Sequence, residues 1–477
     1  MSREIESRSE SFGEQHFGQA QLGDRRRTRR LVALADAIVR HPGGSFPDKL
    51  KSPAKLEALY RLMKCETVTH QSVLQPHRER TSERISERSG YTLIVHDTTE
   101  LDFTTRESLG DDLGQIGNGN NRGYLCHNSL AVDPSNREVI GLANQILHCR
   151  ADVPPGESTS EKRDRDNRES RLWLRGTEGL PADERLVDVC DRGADSFEFL
   201  EHETHSGRRF VVRSCRSRSI HKGHSTDTEK SLLYDYARTL VPIAHAATEV
   251  SGQWMMKQEK RDGKQKRVWR AARTAQLCVT AAPILLHAPR RKAGQHGNQP
   301  LPLFVVRVWE LNPPKDEEGL EWFLLTNHPV ESADEAMQVV GWYECRWVVE
   351  EFHKAMKTGC GIENPQFNSA ERLQPAIALL SVVAIALLNL RELSRHPESK
   401  TRPATDVVNV EYVRLLSAWR HRRVNEDWTI HDFFFALARI GGHLNRKRDH
   451  HPGWLVLWRG WTHLQAMQDG AEALKYV

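Results

Sequence analysis

The stretch YECRWVVEEFHKAMK at residues 343–357 decides how the rest of this 477-residue sequence is interpreted. Its apolar residues recur at helical spacing, so residues 332–358 are predicted to form one helix. At about 100° per residue, four polar side chains share an arc of roughly 60°, with a fifth at its edge. These side chains are Tyr343, Arg346, Glu350 and Lys357, with His353 at the edge.

This helix face would present a phenol, a guanidinium, a carboxylate and an ammonium. Such a combination suits a site that binds both a metal ion and phosphates. The alternative is a solvated face on which Arg346 and Glu350 form an i,i+4 ion pair. Such a pair contributes only about 0.2–0.5 kcal/mol. The choice between the two depends on what the rest of the chain brings to this helix.

Two aspartates follow short apolar strands elsewhere in the chain. Residues 91–95 are rich in β-formers and lead to Asp97, and residues 185–190 lead to Asp191. The carboxyl ends of strands are where open α/β sheets bind ligands. Taken singly, an aspartate after a strand is more often a turn or helix-cap residue, and only the presence of two makes a metal site an equal alternative.

A cluster of arginines lies near the start of a predicted helical region at residues 22–64. It includes Arg26, Arg27 and Arg30. Arginine suits bidentate contacts to phosphates and guanine edges. The alternative is a solvated basic face. The formal net charge of +4 does not decide between them, so the local distribution of charge matters more.

Composition predicts a globular protein of two to four domains in a reducing cytoplasm. The eight cysteines are scattered without a CxxC pair, which argues against disulfides and zinc. The first ten residues are polar and charged, so no secretory signal is expected. The longest apolar run, residues 376–388, is too short to span a bilayer and is predicted to be a buried helix.

The combined motifs identify a family resemblance. Y-x2-R-x3-E-x6-K from Tyr343 to Lys357 resembles the YREK signature of the insertion-sequence-four family of DDE transposases. HDTTEL around Asp97 and CDRGAD at residues 190–195 are similar to that family too. LGDRRRTRRL near the start, and ARIGG and LWRGW near the end, extend the resemblance over nearly the whole chain.

The resemblance implies an α/β fold with an RNase H-like catalytic core. Residues 1–70 would be a helical domain that binds transposon ends, and residues 71–370 the catalytic domain. A β-rich insertion would occupy about residues 198–330. Residues 371–477 would be a helical dimerisation region. We therefore expect a DNA-bridged homodimer acting on element ends and target DNA, in the bacterial cytoplasm and on the nucleoid, with no membrane and no nucleotide cofactor.

The resemblance also implies a mechanism. Asp97, Asp191 and Glu350 would be the triad that holds two Mg²⁺ ions, for which Mn²⁺ would substitute, and they should converge within a few ångströms. The activity would be cut-and-paste transposition through a freed 3′-hydroxyl and a hairpin intermediate. Two alternatives stay open: an inactive or domesticated end-binding repressor, and a general nuclease of the same fold.

Further residues follow from matching positions in the family. Trp322 would stack on a displaced base, and the alternative is a core aromatic within a strand. Tyr343, Arg346 and Lys357 would bind the phosphates beside that base, with His353 at the edge of their face. Arg213, after the predicted strand at residues 210–212, would contact DNA.

Overall fold

The computed structural model describes residues 11–151, 156–158, 161, 165, 167–250, 252–258, 265–289, 299–315, 317–446 and 451–474. The chain is mixed α/β. It divides into two compact units: Met1–Thr177 together with Trp347–Val477, called unit 1, and Glu178–Arg346, called unit 2. The predicted insertion at residues 198–330 falls inside unit 2, while the bounds of the three predicted domains stay predictions.

The helices are concentrated at the two ends of the chain. They are α1 (Phe12–Phe17), α2 (Arg25–Arg40), α3 (Phe46–Leu50), α4 (Pro53–Met63), α5 (His70–Ser86), α6 (Leu172–Gly176), α7 (Phe197–His205), α8 (Leu233–Thr239), α9 (Ala333–Glu344), α10 (Trp347–Lys354), α11 (Ala370–Arg395), α12 (Val410–His421), α13 (Ile430–Ile440) and α14 (Trp454–Ala473).

The strands occupy the middle of the chain. They are β1 (Thr92–Asp102), β2 (Gly114–Gln115), β3 (Arg122–Val132), β4 (Val139–His148), β5 (Leu186–Cys190), β6 (Arg209–Arg213), β7 (Ser219–Lys222), β8 (Lys230–Leu232), β9 (Ala244–Val250), β10 (Gln253–Gln258), β11 (Gln265–Arg270), β12 (Arg273–Leu286), β13 (Leu301–Glu310) and β14 (Glu321–Thr326).

The N-terminal helices form where local signals predict them. Asp24 caps α2 by accepting a hydrogen bond from the Arg26 amide, and Ser52 caps α4. Apolar residues that recur at helical spacing on α2 are buried: Leu31, Leu34, Ala35 and Ile38. Residues 41–44, which include Pro42, Gly43 and Gly44, separate α2 from α3. This agreement follows from caps and periodicity, which act within a few residues.

The sheet of unit 1 is antiparallel, with β3 between β1 and β4 and the short β2 beside the start of β3. The prediction that Asp97 ends its strand is wrong. Strand β1 continues to Asp102, which pairs with Gly123. The run of β-branched Thr98 and Thr99 sustains the strand, although its burial falls after His96.

The predicted apolar helix is confirmed as a buried core helix. Helix α11 is long and apolar enough to cross a membrane, but 82% of its apolar window is buried inside the protein. It packs on α5 and β4 within unit 1. Burial against neighbouring helices and strands is typical of the core helix of a globular unit.

Unit 2 is built on a mixed sheet. Its strand order is β5-β6-β14-β13-β12-β7-β8, with β9 beside β12. Strands β5 and β6 are parallel and the other pairs are antiparallel. Strands β10 and β11 form a separate two-stranded ribbon, and residues 259–264 between them lie outside the described residues.

The predicted single helix at residues 332–358 is wrong. Helix α9 ends at Glu344, and the amides of Cys345 and Arg346 bond to carbonyls three residues back. Helix α10 begins at Trp347, and Ala355–Gly359 continues as a π-helical turn. One tightened turn changes the helical phase only slightly, so apolar periodicity does not reveal it.

The break coincides with the boundary between the two units. Tyr343 and Arg346 belong to unit 2, whereas Glu350, His353 and Lys357 belong to unit 1. The five polar residues therefore form two groups, each held by its own unit.

Candidate catalytic and DNA-binding residues

In unit 1, Asp97 lies in the middle of β1, directly opposite Asn128 on β3. Opposite residues of an antiparallel pair point to the same face, with Cβ atoms about 4.5–5.5 Å apart. One carboxylate oxygen of Asp97 accepts a hydrogen bond from the Thr98 amide at 2.8 Å. Asp97 is half-buried, whereas Asn128 is fully buried.

The helix that carries Glu350 meets this pair of strands through His353. Asn128 Nδ2 lies 3.1 Å from His353 Nε2, and α10 packs on β1. Glu350 precedes His353 by three residues, so the two share a helix face. Asp97 and Glu350 are therefore carried on elements that pack together, with Asn128 and His353 fixing the helix beside the strand.

A buried polar network fixes the orientation of Asn128. Its Oδ1 accepts a hydrogen bond from Gln145 Nε2 at 2.7 Å. Gln145 Nε2 also lies 2.9 Å from Ser381 Oγ, and its Oε1 lies 3.0 Å from His70 Nε2. Burial lowers the pKa of His70, which favours its neutral form. The amide nitrogen of Asn128 is thereby directed toward His353, whose Nε2 accepts.

Sequence interpretation missed Asn128 and Gln145. The available signal was an amide side chain within two strands whose residues are almost all buried: Asn128 in β3 and Gln145 in β4. Buried polar side chains require partners, so such residues mark either a structural network or a site. Here the network connects the core to the helix of Glu350.

Lys357 lies in the π-helical turn after α10. Its Nζ is 3.5 Å from Glu363 Oε1, which also accepts a hydrogen bond from the Asp102 amide at 2.9 Å. The pKa of Asp102 is lowered by its hydrogen bonds from Thr104 and, to a smaller extent, by the charge of Lys357. The ammonium is therefore held near the end of β1 by neighbouring acidic groups.

In unit 2, Asp191 follows β5 directly, as predicted. Its Oδ1 accepts a hydrogen bond from the Gly193 amide at 2.9 Å. Burial raises the pKa of this carboxyl group. The Gly193 hydrogen bond and the charges of Arg346 and Arg213 oppose that increase. The structure thus surrounds a half-buried carboxylate with two of the predicted arginines.

Arg213 and Tyr343 also gather around Trp322. The Arg213 guanidinium lies 6.0 Å from the centre of the Trp322 ring, and the Tyr343 ring lies 6.2 Å from it. Burial raises the pKa of the Tyr343 phenol, while a hydrogen bond to Arg213 and the charges of Arg213 and Arg346 oppose this. Trp322 is half-buried rather than enclosed in the core. Five predicted site residues of unit 2 therefore share one neighbourhood: Asp191, Arg213, Trp322, Tyr343 and Arg346.

Among the residues that the structure describes, no three His, Cys, Asp or Glu side chains are grouped closely enough to hold a metal ion. Asp97 and Glu350 belong to unit 1 and Asp191 to unit 2. The convergence of these three carboxylates accordingly stays a prediction.

The arginines at the N-terminus differ in their surroundings. The Arg26 side chain is 86% exposed and pairs with Asp24 at 3.0 Å. Arg30 is exposed as well. Arg27 instead donates hydrogen bonds through Nη1 to the Leu22 carbonyl at 3.0 Å and to Thr67 Oγ1 at 2.9 Å. Arg27 therefore holds the start of α2 against the segment after α4, whereas Arg26 and Arg30 face solvent.

Residues 9–68 match a family model described as transposase DNA-binding. This match covers α1 to α4, the helices that carry the exposed arginines. The N-terminal part of the chain is thus a DNA-binding domain of the transposase type.

That domain supports a transposase, with a role in transposition and DNA as a partner. It also indicates a DNA-processing enzyme in general terms.

Replacing Arg30 with alanine should weaken binding to a duplex that carries the element's terminal repeats. We expect a loss of about 1–3 kcal/mol if the side chain reads a base. A contact to phosphate alone should instead reduce the slope of log affinity against log salt by about one unit. Fluorescence anisotropy across a salt series measures both quantities.

Arg61→Ala is the matched control, because Arg61 is 71% exposed in the same domain and pairs with Glu57. Its removal should leave DNA affinity unchanged. Equal affinity and equal salt slope for Arg30→Ala and the wild type would mean that this face of α2 is merely solvated.

Proposed function

We propose that this protein is a metal-dependent DNA transposase of the DDE type that moves its element by cut and paste. The observation that carries the proposal is the match of residues 9–68 to a transposase DNA-binding domain. The same chain carries Asp97 on β1 and Glu350 on α10, and this strand and helix pack together. An RNase H-like catalytic core, suggested by the family resemblance, completes the proposal.

The donor set fits a hard divalent cation. Asp97, Asp191 and Glu350 offer carboxylate oxygens, which Mg²⁺ and Mn²⁺ prefer. Mg²⁺ is typically held by one or two carboxylates together with substrate phosphates and water, so a complete protein cage is not required beforehand. When bound, two such ions would activate a hydroxyl nucleophile and offset the charge that develops on the phosphate and the leaving oxygen.

The chain's own residues would position the DNA. Asn128 and His353 keep the helix of Glu350 against the strand of Asp97. The Gly193 amide fixes one oxygen of Asp191 and leaves its other oxygen to a ligand. We propose that Asp97, Asp191 and Glu350 bind the metal ions and that the remaining polar residues bind phosphates: Tyr343, Arg346, Lys357, Arg213 and His353.

Hairpin formation bends DNA sharply and calls for an aromatic surface that accepts a displaced base. Trp322 suits this role because it is half-buried and lies beside Arg213 and Tyr343, whose donors can bind the adjoining phosphates.

The proposed order of reaction steps is a nick, attack of the freed 3′-hydroxyl on the other strand, hairpin opening and strand transfer. We propose a DNA-bridged homodimer as the working form, in the cytoplasm and on the nucleoid.

The test is cutting of a duplex that carries the terminal repeats flanking the coding region. The full chain should nick and then hairpin this duplex with Mg²⁺ or Mn²⁺ and leave it intact in a chelator, because carboxylates alone cannot activate the nucleophile. Trp322→Ala should nick normally but accumulate little hairpin. Products are resolved on denaturing gels.

Trp309→Ala is the control for Trp322, since Trp309 lies on the neighbouring β13 with Arg307 stacked 4.2 Å over its ring. Binding of the repeats without nicking in Mn²⁺ would indicate an end-binding repressor. Equal cutting of random DNA would indicate a general nuclease.

A further inference from the structure

An open pocket lies in the C-terminal helices of unit 1 and uses none of the residues proposed for end binding or cutting. Its volume is ≈ 250 Å³, enough for one planar ring system with its substituents. The end of α12, one side of α13 along most of its length and the connection between the two helices build it. The lining residues that matter here are Arg420, His421, Trp428, His431, Phe435 and Arg439.

Aromatic rings form the walls of this pocket. His431 and Phe435 lie one helical turn apart on α13 and stack, with centroids 4.2 Å apart and planes 29° from parallel. His421 meets Trp428 edge-on at 5.6 Å and 86°. Two pairs of rings from different segments thus line a space that is open to solvent, which is an arrangement suited to stacking a flat ligand.

The charge of the pocket is predominantly positive. Arg439 follows Phe435 by one turn on α13, and Arg420 stands on the opposite helix. In the described part of the chain, neither guanidinium forms an ion pair. The carboxylate of the one acidic lining residue, Asp432, caps α13 by accepting from the amide and the hydroxyl of Thr429. The exposed Arg422 and Arg423 extend the basic surface just after α12.

We infer that this pocket binds an unpaired nucleotide of a DNA strand. A base would stack against the His431–Phe435 pair, and its phosphates would bind Arg420 and Arg439. Stacked rings alone would suit any flat apolar ligand. The two arginines alone would suit any anion. Their combination in one pocket favours a ligand that is both flat and multiply anionic, and DNA is already the partner of the N-terminal domain. A free mononucleotide is also flat and multiply anionic, so the experiment must distinguish binding of a DNA strand from binding of a free mononucleotide.

The experiment uses the full chain and a labelled oligothymidylate of about ten nucleotides, within the range that one single-strand site covers. Fluorescence anisotropy should show that Arg420→Ala and Arg439→Ala each weaken binding about tenfold. Phe435→Leu, which keeps an apolar side chain but removes the ring, should weaken it several-fold. Unlabelled thymidine monophosphate should compete far less well than unlabelled oligothymidylate.

The matched control is Arg459→Ala, because Arg459 is an exposed cation on the neighbouring α14 and lies outside the pocket lining. It should bind the oligonucleotide like the wild type. All pocket variants should bind the duplex end normally and unfold at the wild-type temperature. Arg30→Ala should show the opposite pattern, which separates this inference from the proposed function.

Three results would overturn the inference. Wild-type oligonucleotide affinity in Arg439→Ala and Arg420→Ala would remove the pocket from DNA binding. Equal competition by the mononucleotide would assign it to a free nucleotide. A change confined to self-association in sedimentation would assign this face to a contact between copies of the chain.

Discussion

Glu350→Gln is expected to reduce cutting of the terminal repeats by about 10³-fold or more, while the affinity for those repeats stays close to that of the wild type. The substitution preserves shape but removes the negative charge that would hold a divalent cation. Metal-supplied stabilisation of the transition state amounts to several kcal/mol, and about 1.4 kcal/mol corresponds to a tenfold change in rate. Single-turnover cleavage in Mg²⁺ measures this loss.

Glu351→Gln is the control, because Glu351 is the adjacent carboxylate on the same helix and pairs with Lys354 at 2.9 Å. It should cut like the wild type. Asp97→Asn and Asp191→Asn should match the loss in Glu350→Gln. Undiminished cutting in any of the three would remove that residue from the triad, and loss of end binding would show that the substitution acts on folding instead.

Much of the local structure was predictable, because caps, turns and apolar periodicity act over a few residues. Asp24 and Ser52 begin helices where their positions before apolar runs indicate. Asp191 follows a short buried strand as expected. Strand β6, where Phe210 and its neighbours are buried, likewise lies where its composition predicts it.

The differences arise where distant parts of the chain decide the outcome. Strand β1 continues past Asp97 because β3 extends far enough to pair with it. Arg27 and Arg30 look alike in sequence, but Thr67, 40 residues from Arg27, gives only Arg27 a structural role. No local sequence pattern predicts that β3 pairs with β1 beyond Asp97, or that Thr67 accepts a hydrogen bond from Arg27.

The grouping of the candidate site residues differs from the one that the sequence predicted. The polar residues chosen from one supposed helix face fall into two groups, because the helix breaks at Cys345 and Arg346. Within unit 2, Tyr343 and Arg346 still gather near Asp191, since β5 and β6 place it near Arg213. Sequence chemistry thus proposed the groups, and tertiary packing determined which of them lie near one another.

The largest expected effect on stability concerns a buried ion cluster in unit 2. Arg208 donates to Asp188 Oδ2 at 2.8 Å and to Glu203 Oε1 at 2.9 Å, and both acidic side chains are 0% exposed. Arg208→Ala would leave two buried carboxylates without their cation, which costs about 3–5 kcal/mol. Hydrogen exchange of the β5 and β6 amides, combined with urea denaturation, measures the free energy of opening this unit.

The pH dependence of that loss follows from Glu203. Burial and the neighbouring Asp188 raise the pKa of Glu203 well above its ordinary value, and Arg208 opposes the increase. Without Arg208 the pKa rises further. A carboxyl whose pKa is raised on folding contributes stability that is present below its unfolded pKa and is lost as pH rises through its folded pKa. The deficit of Arg208→Ala should therefore be larger at about pH 8 than at about pH 5.

Arg209→Ala is the control that separates the effect of uncompensated buried charge from a general loss of positive charge near the start of β6. Arg209 pairs at 2.6 Å with Glu184, whose side chain is 74% exposed, so its removal should cost at most about 1 kcal/mol at any pH. Adding Glu203→Gln to Arg208→Ala should recover part of the lost stability at pH 8, because it removes one uncompensated charge. An equal deficit at both pH values, with no recovery in the double variant, would show that lost packing of the arginine stem, rather than buried charge, sets the stability of this cluster.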